Sequence, residues 1–476
     1  MFSRSTHTKI VATVGPACSD KNILTQMIKE GVNVFRLNFS HSTREEHLKV
    51  INRIKELNQE LETHVAILAD LQGPKLRIGL LENDLLMLED GETLTFVTEK
   101  VIGTKEHLYI SYPDFPKDVQ AGEIILIDDG KIKLQVVQSN SIDTVVAKVL
   151  NGGPLHSKKG VNLPETQVSL PCLTEEDKEN AVFAMKQGVD WMALSFVRRA
   201  SDIKELRQFI LEHHGDVAII AKIEKPEALR EIDEIITLSD GIMVARGDLG
   251  VEVSFNQVPI IQKQLIKKCI KQAKPVIIAT QMMETMIGAF RPTRAEATDV
   301  ANAVLDGADA LMLSGETSIG KFPVETISNM HSIIDYAERH GEIVNRFSYP
   351  EGMSTSVLAD SICAAATDLA QHINAKAIVA FTHSGYTAYR LSSHRPETFV
   401  IAFSDNPRTV NKLSLVWGVT PVYMETYDNF TAVFPHFINV LKEKKWVQNS
   451  DILVHVASIP LKLHGTTNML KVTEVT

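Results

Sequence analysis

Apolar positions along the chain fall into short β-rich runs, each followed by a stretch with the spacing of an amphipathic helix. The runs are TKIVATVG (8–15), VNVFRLNFS (32–40), VAILADLQG (65–73), WMALSFV (191–197), VAIIAKIE (217–224), GIMVARGDLG (241–250), PVIIATQM (275–282) and ALMLSGET (310–317). Eight such runs alternating with helices predict parallel strands closed into a (β/α)8 barrel, the TIM-barrel arrangement. An open doubly wound sheet would produce the same alternation and is the competing arrangement.

Two departures from plain alternation mark further domains. Between the third and fourth runs, EDGETLTF, GEIILIDDG and LNGGPLHSKKGVNLP read as strands and turns with weak helical periodicity. They predict a small all-β insertion, a β-barrel, over 74–171. The barrel then occupies 1–73 and 172–341. From 342 to 476 a separate βα series begins, with AKAIVAFT, TFVIAFS, VTPVYM, DILVHVAS and a closing MLKVTEV. It predicts a C-terminal open α/β sheet domain. A length of 476 residues suits two or three domains.

Composition changes this picture little. The 44% hydrophobic and 23% charged residues are those of an ordinary globular protein. No run approaches the ~20 apolar residues of a membrane span, and MFSRSTHTKIVATVG lacks a secretory pattern, so a cytoplasmic location is expected. Cys18, Cys172, Cys269 and Cys363 form no CxxC pair, which argues against a zinc site and suits a reducing compartment. A formal charge of −10 disfavours non-specific nucleic-acid binding but leaves anionic small molecules open, because local cations dominate within a site.

The informative polar residues sit where the apolar runs stop. Barrels of this kind carry their chemistry at the C-terminal strand ends. Those ends hold Arg36, Asn38 and Ser40; Asp70; Ser195; Lys222 and Glu224; Arg246 and Asp248; Thr280; and Ser314 and Glu316. Arg36, Asn38 and Ser40 alternate onto one strand face, where a guanidinium suits phosphate or carboxylate; a structural salt bridge at the rim is the plainer reading. Lys222 and Glu224 also share a face and could be only an ion pair. Asp248 at the next strand end tips the balance, because two neighbouring carboxylates make a Mg²⁺ site completed by substrate oxygens and water. Lys222 would then lie beside the metal and stabilise charge on a transferring phosphoryl group. Gly247 permits close backbone approach beside a helix N-terminus that could hold a carboxylate. Thr280 and Ser314 are ordinary turn hydroxyls taken alone, and within this ring they are candidates for relaying a proton to an enolate.

Ten ordered segments then become specific: KIVATVGPA, NVFRLNFSH, ADLQGPKLRIG, KKGVNLP, SFVRRASD, IIAKIEKPEAL, MVARGDLGVEV, ATQMMETM, RPTRAEATDVANAVLDGADALMLSGETSIGKFPVE and GTTNMLKV. They resemble the pyruvate kinases, in that family's order, from about residue 8 to the last strand. The resemblance implies transfer of the phosphoryl group of phosphoenolpyruvate to ADP, giving pyruvate and ATP with Mg²⁺ or Mn²⁺. By that resemblance Arg36 contacts the transferring group and Lys222 is the catalytic lysine, while Glu224 and Asp248 hold the metal. Arg77 and Lys159 match residues that reach the nucleotide phosphates, Asp129 matches an acidic residue of the mobile lid, and Asn38 and His41 fall in the nucleotide-binding set. Gly247, Asp248 and Thr280 fall in the substrate set with Arg36 and Lys222, and Thr280 and Ser314 match proton-delivery positions. The insertion, hinged near 73 and 172, would close over the barrel mouth and exclude water. Family members also tend to be homotetramers.

The chain departs from the family's common form at one strand end. Where that form reads D-T-K-G-P-E-I-R-T-G and binds an activating K⁺, this chain reads Asp70-Leu71-Gln72-Gly73-Pro74-Lys75-Leu76-Arg77-Ile78-Gly79. The change resembles the K⁺-independent branch. A lysine ammonium carries the charge of K⁺, and two cations ~4 Å apart would repel by about 4 kcal/mol at an effective dielectric near 20. Lys75 is therefore expected to replace the monovalent cation; the alternative is that Lys75 faces solvent and a K⁺ site survives at Asn38, Ser40 and Asp70. In the C-terminal domain, Thr382-His383-Ser384-Gly385-Tyr386-Thr387 joins a strand end to a helix start, a phosphate nest on its loop chemistry or an ordinary βα turn. By resemblance this loop binds a phosphorylated effector. His383 and Tyr386 stand where basic residues are frequent, which puts fructose 1,6-bisphosphate in doubt against another sugar phosphate, a nucleotide or none.

Two other functions compete. A metal-dependent aldolase or lyase would also hold an enolate on Mg²⁺, but has no need of Arg77, Lys159 or a lid that meets nucleotide. A regulatory binding protein on an inactive barrel would be expected to lose a lysine or metal carboxylate, and Lys222, Glu224 and Asp248 all remain.

Overall fold

A computed structural model describes residues 6–343, 357–425, 430–459 and 467–476. The start of GTTNMLKV lies outside them. The eight apolar runs form strands Lys9–Thr13, Val32–Asn38, Ala66–Asp70, Trp191–Leu194, Ala218–Ile223, Gly241–Ala245, Val276–Ala279 and Ala310–Leu313. Each pairs in parallel with its neighbours in chain order, and the last pairs with the first, so the sheet is a closed barrel and not the open alternative.

Closure explains why these strands read as continuous apolar runs. Val11, Val34, Leu68, Trp191, Ile220, Met243, Ile277 and Met312 fill the interior, and their strand neighbours, such as Ile10, Phe35, Ile67 and Ile219, pack outward against the helices. A strand buried on both faces has no polar face to show until it ends. Helix starts are set locally: Thr43, Thr174 and Thr293 each make a reciprocal capping box, with Glu46, Asp177 and Glu296.

The insertion has its own core, built on Leu94, Phe96, Phe115, Ile125, Leu134 and Val145. Its main sheet has six strands, in the spatial order Val161–Asn162, Ile124–Ile127, Ile132–Ser139, Thr144–Asn151, Thr93–Val97 and Leu108–Tyr109, and a second sheet pairs Leu85–Leu88 with Gly153–His156. The C-terminal sheet is open, with Val419–Tyr423, Val400–Ser404, Ala377–Phe381 and Ile452–Ala457 parallel and Met469–Glu474 antiparallel at the edge.

The C-terminal domain docks beneath the barrel, at the end away from the polar rim. Leu415 joins the interior core as its floor. Beside it, Arg395 is buried and pairs with Asp309 at 2.8 Å, one residue before the last barrel strand. Arg395 also donates to the Gly307 carbonyl and lies over the Trp417 ring. His7 stacks between Phe399 and Trp417. Among the described residues no helix is long and apolar enough to cross a membrane, and all four cysteines are buried and unpaired.

Candidate active site

Where the barrel strands end, four charged side chains from three strands lock together. Arg36 donates Nε–H to Asp70 Oδ2 at 2.7 Å, with a second guanidinium nitrogen 2.6 Å from the same oxygen. Its remaining arm reaches Thr13 Oγ1 at 3.0 Å. Lys222 Nζ lies 3.2 Å from Asp70 Oδ1 and 2.9 Å from Glu224 Oε1. It also donates to Ser195 Oγ at 2.7 Å, and that hydroxyl donates in turn to the Leu71 carbonyl. All of these charged groups are buried, so each needs its partners.

The charges set one another's protonation. Burial opposes ionisation of Asp70, but the Lys222 and Arg36 charges outweigh it and hold the carboxyl below its usual range. For Lys222 burial likewise works against the charged form, and Asp70 and Glu224 overcome it, raising the ammonium above its ordinary value. Glu224 is pushed up by burial and by neighbouring Asp248, against the pull of Lys222.

Glu224 is held by more than Lys222. Its Oε2 accepts the Phe196 N–H at 2.7 Å, and Phe196 adopts a left-handed φ of 56° to present it. Asp248 lies in the first turn of helix Arg246–Glu252, at the next strand end. In the same turn the Gly247 N–H donates to Thr280 Oγ1 at 2.7 Å, and a Cβ on Gly247 would crowd that oxygen at 3.2 Å. Thr280 itself has φ 67°, a strained value for a β-branched residue. Ser314 is fixed through its backbone, whose N–H donates to the buried carboxylate of Glu316. Arg246 makes a bidentate pair with Asp299 at 2.7 and 2.8 Å and donates to the Thr280 carbonyl at 2.9 Å. Among the described residues no three His, Cys, Asp or Glu side chains converge as a metal cluster. Glu224 and Asp248 are two oxygen donors whose mutual repulsion a divalent cation would relieve, so they fit part of such a shell.

Over the rim, the insertion closes a cleft of about 270 Å³ whose wall includes Lys75, Arg77, Asp129, Lys159, Lys225 and Asp248. Lys75 is half-buried and has no ion-pair partner among the described residues. Burial and then the Lys222 charge push its pKa down, while Asp248 and Asp70 pull it up. Lys159 pairs with Asp128 at 2.8 Å, and Arg77 donates to the Lys158 carbonyl. His41 is pushed down by desolvation and by the Lys75, Arg77 and Arg36 charges.

Both connections between the insertion and the barrel are clamped by the barrel. Asp177 accepts the backbone N–H groups of Gln72 and Gly73 on the outgoing connection and the hydroxyl of Thr174, the helix cap that follows the returning one. Arg198 donates to the Val168 and Leu170 carbonyls, and Cys172 Sγ contacts the Ser195 carbonyl. Gly73 has φ +69°, and a Cβ there would meet Phe196 and Ser195 at 2.8 and 3.0 Å.

The structure thus brings Arg36, Asp70, Lys222, Glu224 and Asp248 together, with Thr280 and Ser314 on the flank they share with Asp248 and Glu316. Asn38 and Ser40 stay close to each other, the Asn38 side chain accepting the Ser40 N–H. The loop from Thr382 to Thr387 belongs to the C-terminal domain below the barrel. There the Gly385 N–H donates to Thr382 Oγ1, His383 pairs with Asp405, and Tyr386 donates to Asp360. Sequence reasoning left Thr13, Asp128, Asp177 and Glu252 unassigned and placed Ser195 on the rim without a partner. Strand ends in TKIVATVG and WMALSFV signal Thr13 and Ser195, and the Thr174–Asp177 spacing marks a helix start; Asp128 and Glu252 carry no local signal.

Buried charges at the strand ends, facing a cleft of cations beneath an inserted domain, define a barrel enzyme that handles anionic substrates. Residues 5–327 match the family described as pyruvate kinase, barrel domain, and residues 360–473 match pyruvate kinase, alpha/beta domain. The chain belongs to the pyruvate kinase family. It is 42% identical over 469 residues to a pyruvate kinase of Staphylococcus saprophyticus, an alignment covering 98% of this chain and 80% of that one. A pyruvate kinase of Staphylococcus aureus is 41% identical over 466 residues, with the same shares covered. The crystal structure of a pyruvate kinase from Cryptosporidium parvum superposes with a TM-score of 0.92 at 35% identity, covering 100% of this chain and 97% of that one.

Proposed function

We propose that this enzyme transfers the phosphoryl group of phosphoenolpyruvate to ADP, giving pyruvate and ATP. The observation that carries the reading is the buried Arg36–Asp70–Lys222–Glu224 network next to the cationic cleft under the insertion, joined to it by Phe196, which lines the cleft and donates its N–H to Glu224. Arg36 and Lys222 are the cations that neutralise the transferring group, and Asp70 keeps both aimed at one point. Lys222, held protonated, stabilises charge on the enolate oxygen and does not act as a base. Glu224 and Asp248 would hold a Mg²⁺ or Mn²⁺ ion, which supplies charge neutralisation on the phosphoryl and enolate oxygens. Arg77 and Lys159, with Asp129 and His41 on the cleft side, bind the nucleotide phosphates, and the 74–171 domain closes to exclude water. Gly247, Thr280 and Ser314 line the side from which the enolate carbon receives its proton.

The finer reading is that no K⁺ is needed. Lys75 is half-buried and lines the same cleft as Asp248, within reach of the Lys222, Asp248 and Asp70 charges, which supports its standing in for a monovalent cation near Asp70, Leu71, Asn38 and Ser40. We propose that the loop Thr382–Thr387 takes a phosphorylated effector, supported by the start of helix Tyr386–Ser393, with His383 and Tyr386 engaged by Asp405 and Asp360 in its absence. A cytoplasmic homotetramer is the assembly and location this reading carries.

Coupled pyruvate formation from phosphoenolpyruvate, ADP and Mg²⁺, first in potassium-free buffer and then with KCl, tests both levels. Strong activity little changed by KCl is expected. Activity appearing only with KCl would remove the role of Lys75, and folded protein inactive in both buffers, with a range of phosphorylated effectors also added, would overturn the assignment.

A further inference from the structure

Lid and barrel meet at a carboxylate that none of the chemistry above uses. Glu252, the last residue of helix Arg246–Glu252, accepts Nδ2–H of Asn162 at 2.8 Å across the domain boundary. The same Oε1 receives Nζ of Lys225 at 2.6 Å, from the residue that directly follows Glu224. The Glu252 side chain is 1% exposed and that of Lys225 10%. Glu252 Oε2 is buried with no hydrogen-bond partner among the described residues.

The contact joins three segments that matter to one another. Glu252 is one helical turn after Asp248, Lys225 is fixed to Glu224 by the chain, and Asn162 is three residues after Lys159. Gly160, between Lys159 and Asn162, also forms a backbone bridge to Arg77. Seating Asn162 therefore sets the height and register of both lid cations over the cleft. A carboxylate held rigid by a buried lysine is a good acceptor for this purpose, because it keeps its direction whether or not the lid is seated.

We propose that Glu252 is a positioning residue for lid closure: its carboxylate, oriented by Lys225, receives Asn162 and so places Lys159 and Arg77 on the nucleotide phosphates. The inference rests on the phosphotransfer reading for its kinetic consequence, but not for its structural one.

The test exchanges donor and acceptor. Asn162→Asp sets two carboxylates against each other, whereas Asn162→Asp with Glu252→Gln restores one amide, one carboxylate and one ammonium with the bond direction reversed. In Asn162→Asp the KM for ADP is expected to rise about tenfold while that for phosphoenolpyruvate moves less than about twofold. Amide hydrogen exchange over 158–163 should quicken in the same variant, and the double variant should recover both properties. An unchanged KM for ADP with unchanged exchange, or a double variant no better than the single, would overturn the latch. Exchange is read on the protein without turnover, so an inactive wild-type enzyme would sink the phosphotransfer reading while leaving the latch to be decided by exchange. Should Glu252→Gln not fold, Asn162→Ala decides: faster exchange at 158–163 supports the latch, and wild-type exchange removes it.

Discussion

Ser195 Oγ lies 2.7 Å from Lys222 Nζ and donates its own hydrogen bond to the Leu71 carbonyl, tying the cationic centre of the site to the segment that leads into the insertion. The serine steers Lys222 but carries no charge. Ser195→Ala should lower kcat by about tenfold with the fold intact, since one hydrogen bond to a charged group is lost. Lys222→Met should lower kcat by at least about a thousandfold, because it removes the cation itself. Steady-state kinetics beside circular dichroism separate the two, and unchanged turnover in Lys222→Met would end its assigned role.

Lys75 makes a sharper test of whether K⁺ is needed. Replacing it by glutamate reverses the charge facing Asp70 and Asp248 and recreates the acidic residue of the family's common form. Lys75→Glu should be nearly inactive in potassium-free buffer and regain activity with KCl, while the wild type responds little. A variant equally active in both buffers would show that Lys75 does not stand in for the ion.

The dock beneath the barrel rests on Arg395 and Asp309, both nearly inaccessible. Removing one partner of such a pair strands the other in a medium that solvates it poorly. Arg395→Met alone should destabilise the protein by about 3 kcal/mol or more, and Arg395→Met with Asp309→Asn should recover part of that loss. Thermal unfolding of the two variants measures the difference, and additive losses would show that the pair is not coupled.

Two buried histidines of the C-terminal domain give an acid limit. Burial first, and then the Arg390 and Lys471 charges respectively, lower His394 and His455 from 6.5 to about 4. The folded domain thus holds both rings neutral, and between pH 6.5 and 4 the unfolded chain binds more protons. Stability is therefore full above pH 6.5 and falls as pH drops toward 4, by about 3 kcal/mol for each histidine. His455→Gln should flatten this slope in a pH series of denaturation midpoints; a slope identical to wild type would remove His455 as its source.

The eight strands, the insertion and the second βα series were legible in the sequence because each rests on local rules. Side-chain alternation, helical spacing and turn residues act within a few positions, so apolar runs that stop at Arg36, Asp70, Lys222, Glu224 and Asp248 already mark a polar rim. Partnership is a different matter. That Asp70 divides its oxygens between Arg36 and Lys222, that Asp128 rather than Asp129 takes Lys159, and that Asn162 meets Glu252 all depend on closing the barrel and seating the lid. Arg395 and Asp309 lie 86 positions apart, and only the docking of the two domains brings them together. A single chain's periodicity reports which face of an element is buried, whereas the pairing of buried charges is settled by packing between elements, where desolvation leaves each one few partners to choose from.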